Sequence, residues 1–458
     1  MKQEVERLTS KVKETLNQSI YELKRFCEIE SISAHNKSIP EAVGFLESYI
    51  LSLGGSVKIL DEVQDGNPVL YVHFEAGPGG NSDKTLLFYN HYDVQPAEPL
   101  EEWETPPFEV TEKDGKLFAR GIADNKGDLM ARLTAIRILK RQEGGLPCNI
   151  KFLLEGEEEI GSPNLPFYLE KYTYLFKADA CIWEHADKDE KNRVNLMAGV
   201  KGMAYFELTC VSADIDLHSK VGPLVENAAW RLTHALASMK NSHHEILVEG
   251  FFDGIIPPTE LELEYVKKIP FDEESYKEMY GLKHPLITTY SGQDPREALI
   301  FNPTMTICGF ESGYYGEGSK TVLPKKSMAK LDCRLVPGQD PEHILECMEE
   351  HLQNHGYSDI NVKLLTGVKA YRSDLSHPFV SLMVRTAKEV YDCEVVLSPN
   401  NAGTGPMTDF GHHLHFPIVS TGVGWAQSRL HAPNESIRIA DYEEGIVHIA
   451  YLIQEFGK

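Results

Sequence analysis

No C-x-x-C pair occurs in this chain, and its eight cysteines are scattered: Cys27, Cys148, Cys181, Cys210, Cys308, Cys333, Cys347 and Cys393. Several sit in apolar runs such as ADACIW and FELTCV. That distribution argues against a disulfide framework or a cysteine zinc site and reads as reduced, buried thiols in a reducing compartment. No stretch approaches 18 apolar residues, and the polar N-terminus lacks the apolar core of a signal sequence, so a cytoplasmic, non-spanning protein is expected. Positive charge is scarce: 45 Lys and Arg against 69 Asp and Glu give a net −24. That balance argues against nucleic acid and anionic membrane as partners. There is no internal repeat and no low-complexity tract. Ser312, in GFESGYYG, does not fit G-x-S-x-G, so no serine triad is expected. The glycine-rich Gly77–Asp83 (GPGGNSD) lacks the Lys and the following helix of a phosphate loop, and is predicted to be a surface turn.

What is present is an ordinary globular balance. The 458 residues are 42% hydrophobic and 25% charged, enough for a sizeable core and long enough for two domains. Val5, Leu8, Val12, Leu16, Ile20, Leu23 and Phe26 recur at three- and four-residue steps, predicting an amphipathic helix over 3–30. A second helix over 40–53 stops at Gly54-Gly55. Strands are predicted at 56–60 and 68–75, in the apolar run ending at His91, and at 149–154 and 178–183. A hairpin turns at Asp114-Gly115, and helices follow at 127–141 and up to about 172. The β-α-β rhythm implies a largely parallel sheet covered by helices. From Met203 the order becomes β-α-β-β-α-β, the ferredoxin-like motif, with a helix from Leu224 to Met239 and a long insert over about 241–303. The α/β rhythm then returns, with helices at 378–391 and 441–456, a strand at 416–420 and loops at 398–409 and 422–435. The expected architecture is α/β, with a small α+β domain (200–368) inserted into a larger one (1–199 and 369–458).

The chemistry gathers just past strand ends. TLLFYNHYDVQP delivers His91 at the carboxyl end of an apolar run, where open α/β sheets place their ligands, with Asp93 close enough to orient the imidazole. Asp124, Glu158-Glu159, Glu184 and His431 occupy the segments after other elements. Two histidines with three or four carboxylates suit one or two divalent ions, Zn²⁺ first and Mn²⁺ next. A carboxylate such as Asp124 can bridge a pair of ions roughly 3.5–4 Å apart. In Glu158-Glu159, adjacent side chains diverge, so one can ligate while the other acts as general base on a bound water.

FYNHYDVQP, WETPPF, ARGIADNKG, LLEGEEEIGS, IWE, DLHS, TVLP, CRLVP, GTGP and HAPNE occur in one order along nearly the whole chain. In these motifs the sequence resembles the co-catalytic metallopeptidases and deacylases, which include carnosinase-like dipeptidases, carboxypeptidase G, aminoacylase, acetylornithine deacetylase and succinyl-diaminopimelate desuccinylase. The resemblance implies that His91 and Glu184 bind one ion, that Glu159 and His431 bind the other, and that Asp124 bridges them. The ions implied are Zn²⁺, with Mn²⁺ or Co²⁺ as alternatives. Asp93 would support His91, and Glu158 would be the general base. A cis peptide would follow Asp124. The inserted domain would be a lid and a homodimerisation domain. Within it His218 would stabilise an oxyanion, Thr321 would contribute with it, both in the family often from the partner subunit, and Arg334 would grip the substrate carboxylate. His377, Gly403, Thr404 and Gly405 would help hold the substrate.

Blander readings stand beside several of these. Asp187 competes with Glu184 as ligand. His218 could be an exposed loop residue, Arg334 could serve an ordinary salt bridge, and His377 could cap the helix that follows it. His412, His413 and His415 match no ligand of the pattern, and the pair His243-His244, in the insert, reads as solvated. The resulting expectation is a di-metal hydrolase of dipeptides or short peptides with a free C-terminal carboxylate. The length and the long insert resemble the carnosinase-like branch. The alternatives are an N-acyl-amino-acid deacylase and, outside enzymes, a non-catalytic binding member.

Overall fold

In the computed structural model, which describes residues 2–458, the chain forms two compact units. The first comprises residues up to Gly199 together with Ser373–Pro399 and Asp409–Lys458, and the second Val200–Arg372 with Asn400–Thr408.

The first unit is built on a ten-stranded mixed sheet. Its centre is parallel: Asn81–His91 pairs in parallel with Cys148–Glu155 on one side and Ala180–Trp183 on the other, and Ile418–Ser420 continues the run beside Ala180–Trp183. Ser56–Leu60 and Val69–Phe74 extend one side as antiparallel strands. Every residue from Leu86 to His91 is buried, so both faces of the central strand are covered, as a parallel sheet requires. Phe88 stacks on Phe152, while Tyr89, on the opposite face with His91, stacks on Trp183 and meets Phe410 edge-on. The amphipathic repeat at the start of the chain forms the helix Lys2–Cys27. The helix Lys126–Lys140 is buried from Lys126 to Leu139. Its polar side chains are therefore paired inside the unit, for example Arg137 with Glu22 at 2.6 Å.

The second unit carries a four-stranded antiparallel sheet in the order Thr306–Ser312, Lys326–Leu335, Gly202–Val211, Asn361–Val368. Numbered along the chain this is 2-3-1-4, the ferredoxin-like order. Helices Ala228–Met239 and Pro341–Asn354 pack on it around Phe206, Leu208, Leu232, Leu331, Ile344 and Met348. The long insert contains the helices Glu260–Lys268, Glu273–Tyr280, Ile287–Ser291 and Pro295–Phe301.

Several expectations are corrected. Gly77–Asp83 does turn at the surface, with Pro78 and Gly79 exposed, but the turn is shorter than expected because the strand already starts at Asn81. The glycines press against the main chain of Gly144–Pro147; a Cβ on Gly77 would stand 2.2 Å from the Gly144 oxygen, and one on Gly80 2.1 Å from that of Leu146. The helix expected from Leu224 starts later, at Ala228, because the Asn227 side chain accepts from the Ala229 and Trp230 amides. The loop expected over 398–409 gives way to helix Met407–Leu414. The boundary near 368 falls at Arg372, and residues 400–408 belong with the second unit rather than the first. There the Lys201 amide donates to the Asn401 and Gly403 oxygens, and Thr408 Oγ1 donates to the Lys369 oxygen.

Candidate metal centre

His91 ends the central strand, and its ring is fixed from behind. Nδ1 donates to the Asp93 main-chain oxygen at 3.1 Å, with Asp93 Oδ1 3.4 Å away. Nε2 is thereby left to face the cluster. Asp93 is fully buried and also accepts from the Glu159 amide at 3.0 Å, tying the end of one strand to the turn after its parallel neighbour.

Asp124 stands at the middle. Its Oδ1 lies 3.0 Å from His91 Nε2 and its Oδ2 3.1 Å from His431 Nε2. Each oxygen of one carboxylate thus meets a different imidazole. Glu159 Oε2 lies 3.2 Å from His431 Nε2 and accepts from Gln95 Nε2 at 2.9 Å. Glu184 Oε2 lies 3.9 Å from His91 Nε2. Among the described residues, His91, Asp124 and Glu159 offer ligand atoms that all lie within 4.8 Å of one another. The Asp124–Asn125 peptide is cis. Asn125 Nδ2 donates to the Glu184 oxygen at 2.9 Å, and the Asn90 amide reaches Asn125.

The strand ends that carry these groups are gathered by one buried cation. Arg132 donates to the oxygens of Tyr89 (2.8 Å), Trp183 (2.5 Å), Glu184 (3.0 Å) and Thr421 (3.1 Å), and to Asn90 Oδ1 (2.7 Å). Beneath Glu184, His185 Nδ1 pairs with Asp128 Oδ2 at 3.1 Å, and Asp128 Oδ1 accepts from the Val423 amide.

The electrostatics ask for positive charge. His431 is pushed up to about 10 by its hydrogen bonds to Asp124 and Glu159. Burial works against ionisation of Asp124, but the bonds from His431 and His91 overcome it and hold the carboxyl well below its usual range. Desolvation pushes Glu158 up to about 7, with Asp124 and Glu159 acting in the same direction. Burial, and then the charge of Glu158, raise Glu184. Glu184 Oε2 is buried without a hydrogen-bond partner, a polar atom that a bound cation would satisfy. The donor set of imidazole and carboxylate, its convergence and this orphaned oxygen fit divalent ions of the Zn²⁺ or Mn²⁺ type.

The structure therefore brings His91, Asp93, Asp124, Glu159, Glu184 and His431 into one network. Asp187 instead accepts from Asn195 Nδ2 at 3.1 Å. His377 caps the helix Pro378–Val390, its Nδ1 accepting from the Phe379 amide. His413 Nδ1 bonds the Asp409 oxygen, and the neighbouring His412 and His415 are exposed. Within the second unit, His218 Nε2 lies 3.5 Å from Thr321 Oγ1, where Leu217-His218 pairs with Val322-Leu323. Arg334 forms a fork with Asp332 two residues before it, at 3.0 and 3.1 Å, and donates to Thr404 Oγ1 at 3.0 Å. Thr404 with Gly403 and Gly405 thus belongs to the unit that carries Arg334. Sequence reasoning missed Gln95, Arg132 and Glu435. Gln95 and Glu435 lie inside the quoted motifs, but no spacing tells which way their side chains turn.

Residues 87–455 match the model of peptidase family M20/M25/M40. The Cys-Gly metallodipeptidase dug1 of Schizosaccharomyces pombe is 32% identical, the match covering 100% of this chain and 99% of that protein. The mouse Beta-Ala-His dipeptidase is 27% identical over 95% and 92% of the two chains. Among solved structures, the M20 family metallo-carboxypeptidase Sso-CP2 from Sulfolobus solfataricus superposes with a TM-score of 0.84 at 39% identity, covering 96% of this chain and 99% of the other. Human carnosine dipeptidase 1 gives 0.72 at 26%, covering 99% of each.

Proposed function

The chain belongs to peptidase family M20/M25/M40 and is a metallopeptidase, and from that premise we propose that it hydrolyses dipeptides carrying a free C-terminal carboxylate. The observation that carries this reading is Asp124, whose two oxygens each face a different histidine, the arrangement of a carboxylate shared between two ions. His91 and Glu184 would hold one ion and His431 and Glu159 the other, with Zn²⁺ as the first choice. When bound, the ions lower the pKa of a water and polarise the scissile carbonyl.

The remaining work falls to side chains. Glu158 takes a proton from the attacking water as its oxygen bonds to the carbonyl carbon. It then passes that proton to the amide nitrogen as the C–N bond breaks, so that carboxylic acid and amine leave in balance. Asp93 holds the His91 ring with Nε2 forward. His218 donates to the developing oxyanion, with Thr321 as its neighbour. Arg334 and Thr404 take the substrate carboxylate, the planar guanidinium matching its two oxygens. Gly403, Gly405 and His377 complete the substrate contacts in this reading.

A homodimer through the second unit and a cytoplasmic location are part of the proposal. The first is supported by Ile307 and Phe310, which are 54% and 48% exposed on the edge strand Thr306–Ser312. The second is supported by the free cysteines. Among the described residues no helix is long and apolar enough to cross a membrane. A second reading, a carboxypeptidase accepting longer peptides, is favoured by the 39% identity to Sso-CP2.

The deciding experiment is hydrolysis by Zn²⁺- or Mn²⁺-loaded protein of free dipeptides, longer peptides, C-terminally amidated dipeptides and N-acetyl amino acids. Turnover of free but not amidated dipeptides supports the proposal. Equal turnover of longer peptides moves the protein to the carboxypeptidases, and turnover confined to the acetylated set moves it to the deacylases.

A further inference from the structure

Glu435 lies four residues beyond His431 and is fully buried, yet the chemistry above makes no use of it. Its carboxylate is surrounded by donors from the segment that carries Asp124. Oε1 accepts from the amides of Ala123 (2.8 Å) and Asp124 (3.0 Å). Oε2 accepts from the Gly121 amide (2.9 Å) and Arg120 Nη1 (2.7 Å). The main-chain oxygen of Glu435 accepts from the Ala119 amide at 3.1 Å. Arg120 in turn donates through Nη2 to the Pro96 oxygen at 3.2 Å, and the adjacent Gln95 is the donor that holds Glu159. One side chain on the His431 loop therefore grips the Asp124 loop through three amides, and through Arg120 it reaches the strand end whose glutamine orients a third ligand.

We propose that Glu435 is a positioning residue of the metal centre, fixing the Asp124 peptide against the His431 loop and so setting the separation of these two ligands. The inference rests on the di-metal reading of the site. A carboxylate is needed because four N–H groups converge on it. An amide would accept at one end and point its own N–H₂ at two donors at the other. The groups that orient metal ligands commonly govern affinity by 10- to 100-fold.

The test compares the parent with Glu435→Gln and with Glu22→Gln, by chelator competition for Zn²⁺, the absorption spectrum of the Co²⁺-loaded protein, and melting of the metal-free protein. Glu22 is the control because it too is a carboxylate paired with a buried arginine, Arg137 at 2.6 Å, and with the Tyr49 hydroxyl at 2.7 Å, but it touches no ligand segment. The expected result is that both variants melt earlier, while only Glu435→Gln weakens Zn²⁺ binding, by about 10- to 100-fold, and alters the Co²⁺ spectrum. A folded Glu435→Gln that binds Zn²⁺ within twofold of the parent overturns the inference, and so does an equal loss in Glu22→Gln. If Glu435→Gln does not fold, Glu435→Asp keeps the charge and shortens the reach, and the same two readings apply to it. A parent that binds no metal would instead sink the di-metal reading itself.

Discussion

Glu158 and Glu159 are neighbours in sequence but not in circumstance. Glu159 is engaged by Gln95 and His431, whereas no hydrogen bond holds the Glu158 carboxylate in the network described. Glu158→Ala should therefore fold and load with metal normally. Its kcat should fall by roughly 10²–10⁴, the usual worth of a positioned general base, with metal content measured alongside. A variant that keeps parental turnover would remove Glu158 from the mechanism. His431 is the complementary case, because it faces both Asp124 and Glu159. His431→Ala should bind one equivalent of Zn²⁺ fewer than the parent in a titration followed by elemental analysis; two retained equivalents would contradict its assignment.

At the scale of elements, small polar and glycine residues decide where helices and strands begin. Asn227→Ala removes the side-chain acceptor of two helix amides. It should cost about 1 kcal/mol in urea unfolding, the typical worth of an N-cap, without changing the metal centre. Gly80→Ala should cost more, because a Cβ there would meet the Leu146 and Pro147 main chain, which cannot move aside as a flexible side chain would. A lowered urea midpoint is the expected reading, and an unchanged one would show that the Asn81 strand can shift. The close approach at Gly80 was hidden in the sequence. A glycine-rich stretch announces a turn, but not the other backbone that lies against it.

For the whole molecule, His448 links stability to pH. It is fully buried between Thr386 and Thr421, and burial depresses it to about 3. The unfolded chain binds this proton near the ordinary histidine value of about 6.5, whereas the folded chain binds it only near 3. Stability from this group is therefore complete above about 6.5 and is lost progressively as pH falls toward 3, at up to about 1.4 kcal/mol per pH unit. In metal-free protein, His448→Gln should flatten the acid limb of the stability curve over that window; an unchanged slope would assign the acid sensitivity elsewhere. Chelation at neutral pH should abolish hydrolysis and lower the melting temperature, since the ions bind only the folded chain. Asp124, Glu159 and Glu184 would then remain gathered around His91 and His431 without them.

The sequence by itself determined the order of elements, the inserted β-α-β-β-α-β motif and the identity of the groups at the strand ends. Periodicity, turn residues and the position of His and carboxylate after apolar runs are local properties, written along the chain. The candidates His91, Asp93, Asp124, Glu158-Glu159, Glu184 and His431 stood out in this way, while the division of roles between Glu158 and Glu159 came from the family resemblance. Only the tertiary structure decided that Glu184 rather than Asp187 stands beside His91, that residues 400–408 join the unit carrying Arg334, and that Gln95, Arg132 and Glu435 hold the ligand loops in place. Those outcomes depend on which distant segments meet, and on where a buried donor or acceptor finds its partner. Glu435 and Asp124 are 311 residues apart, and no local pattern records a hydrogen bond across that separation.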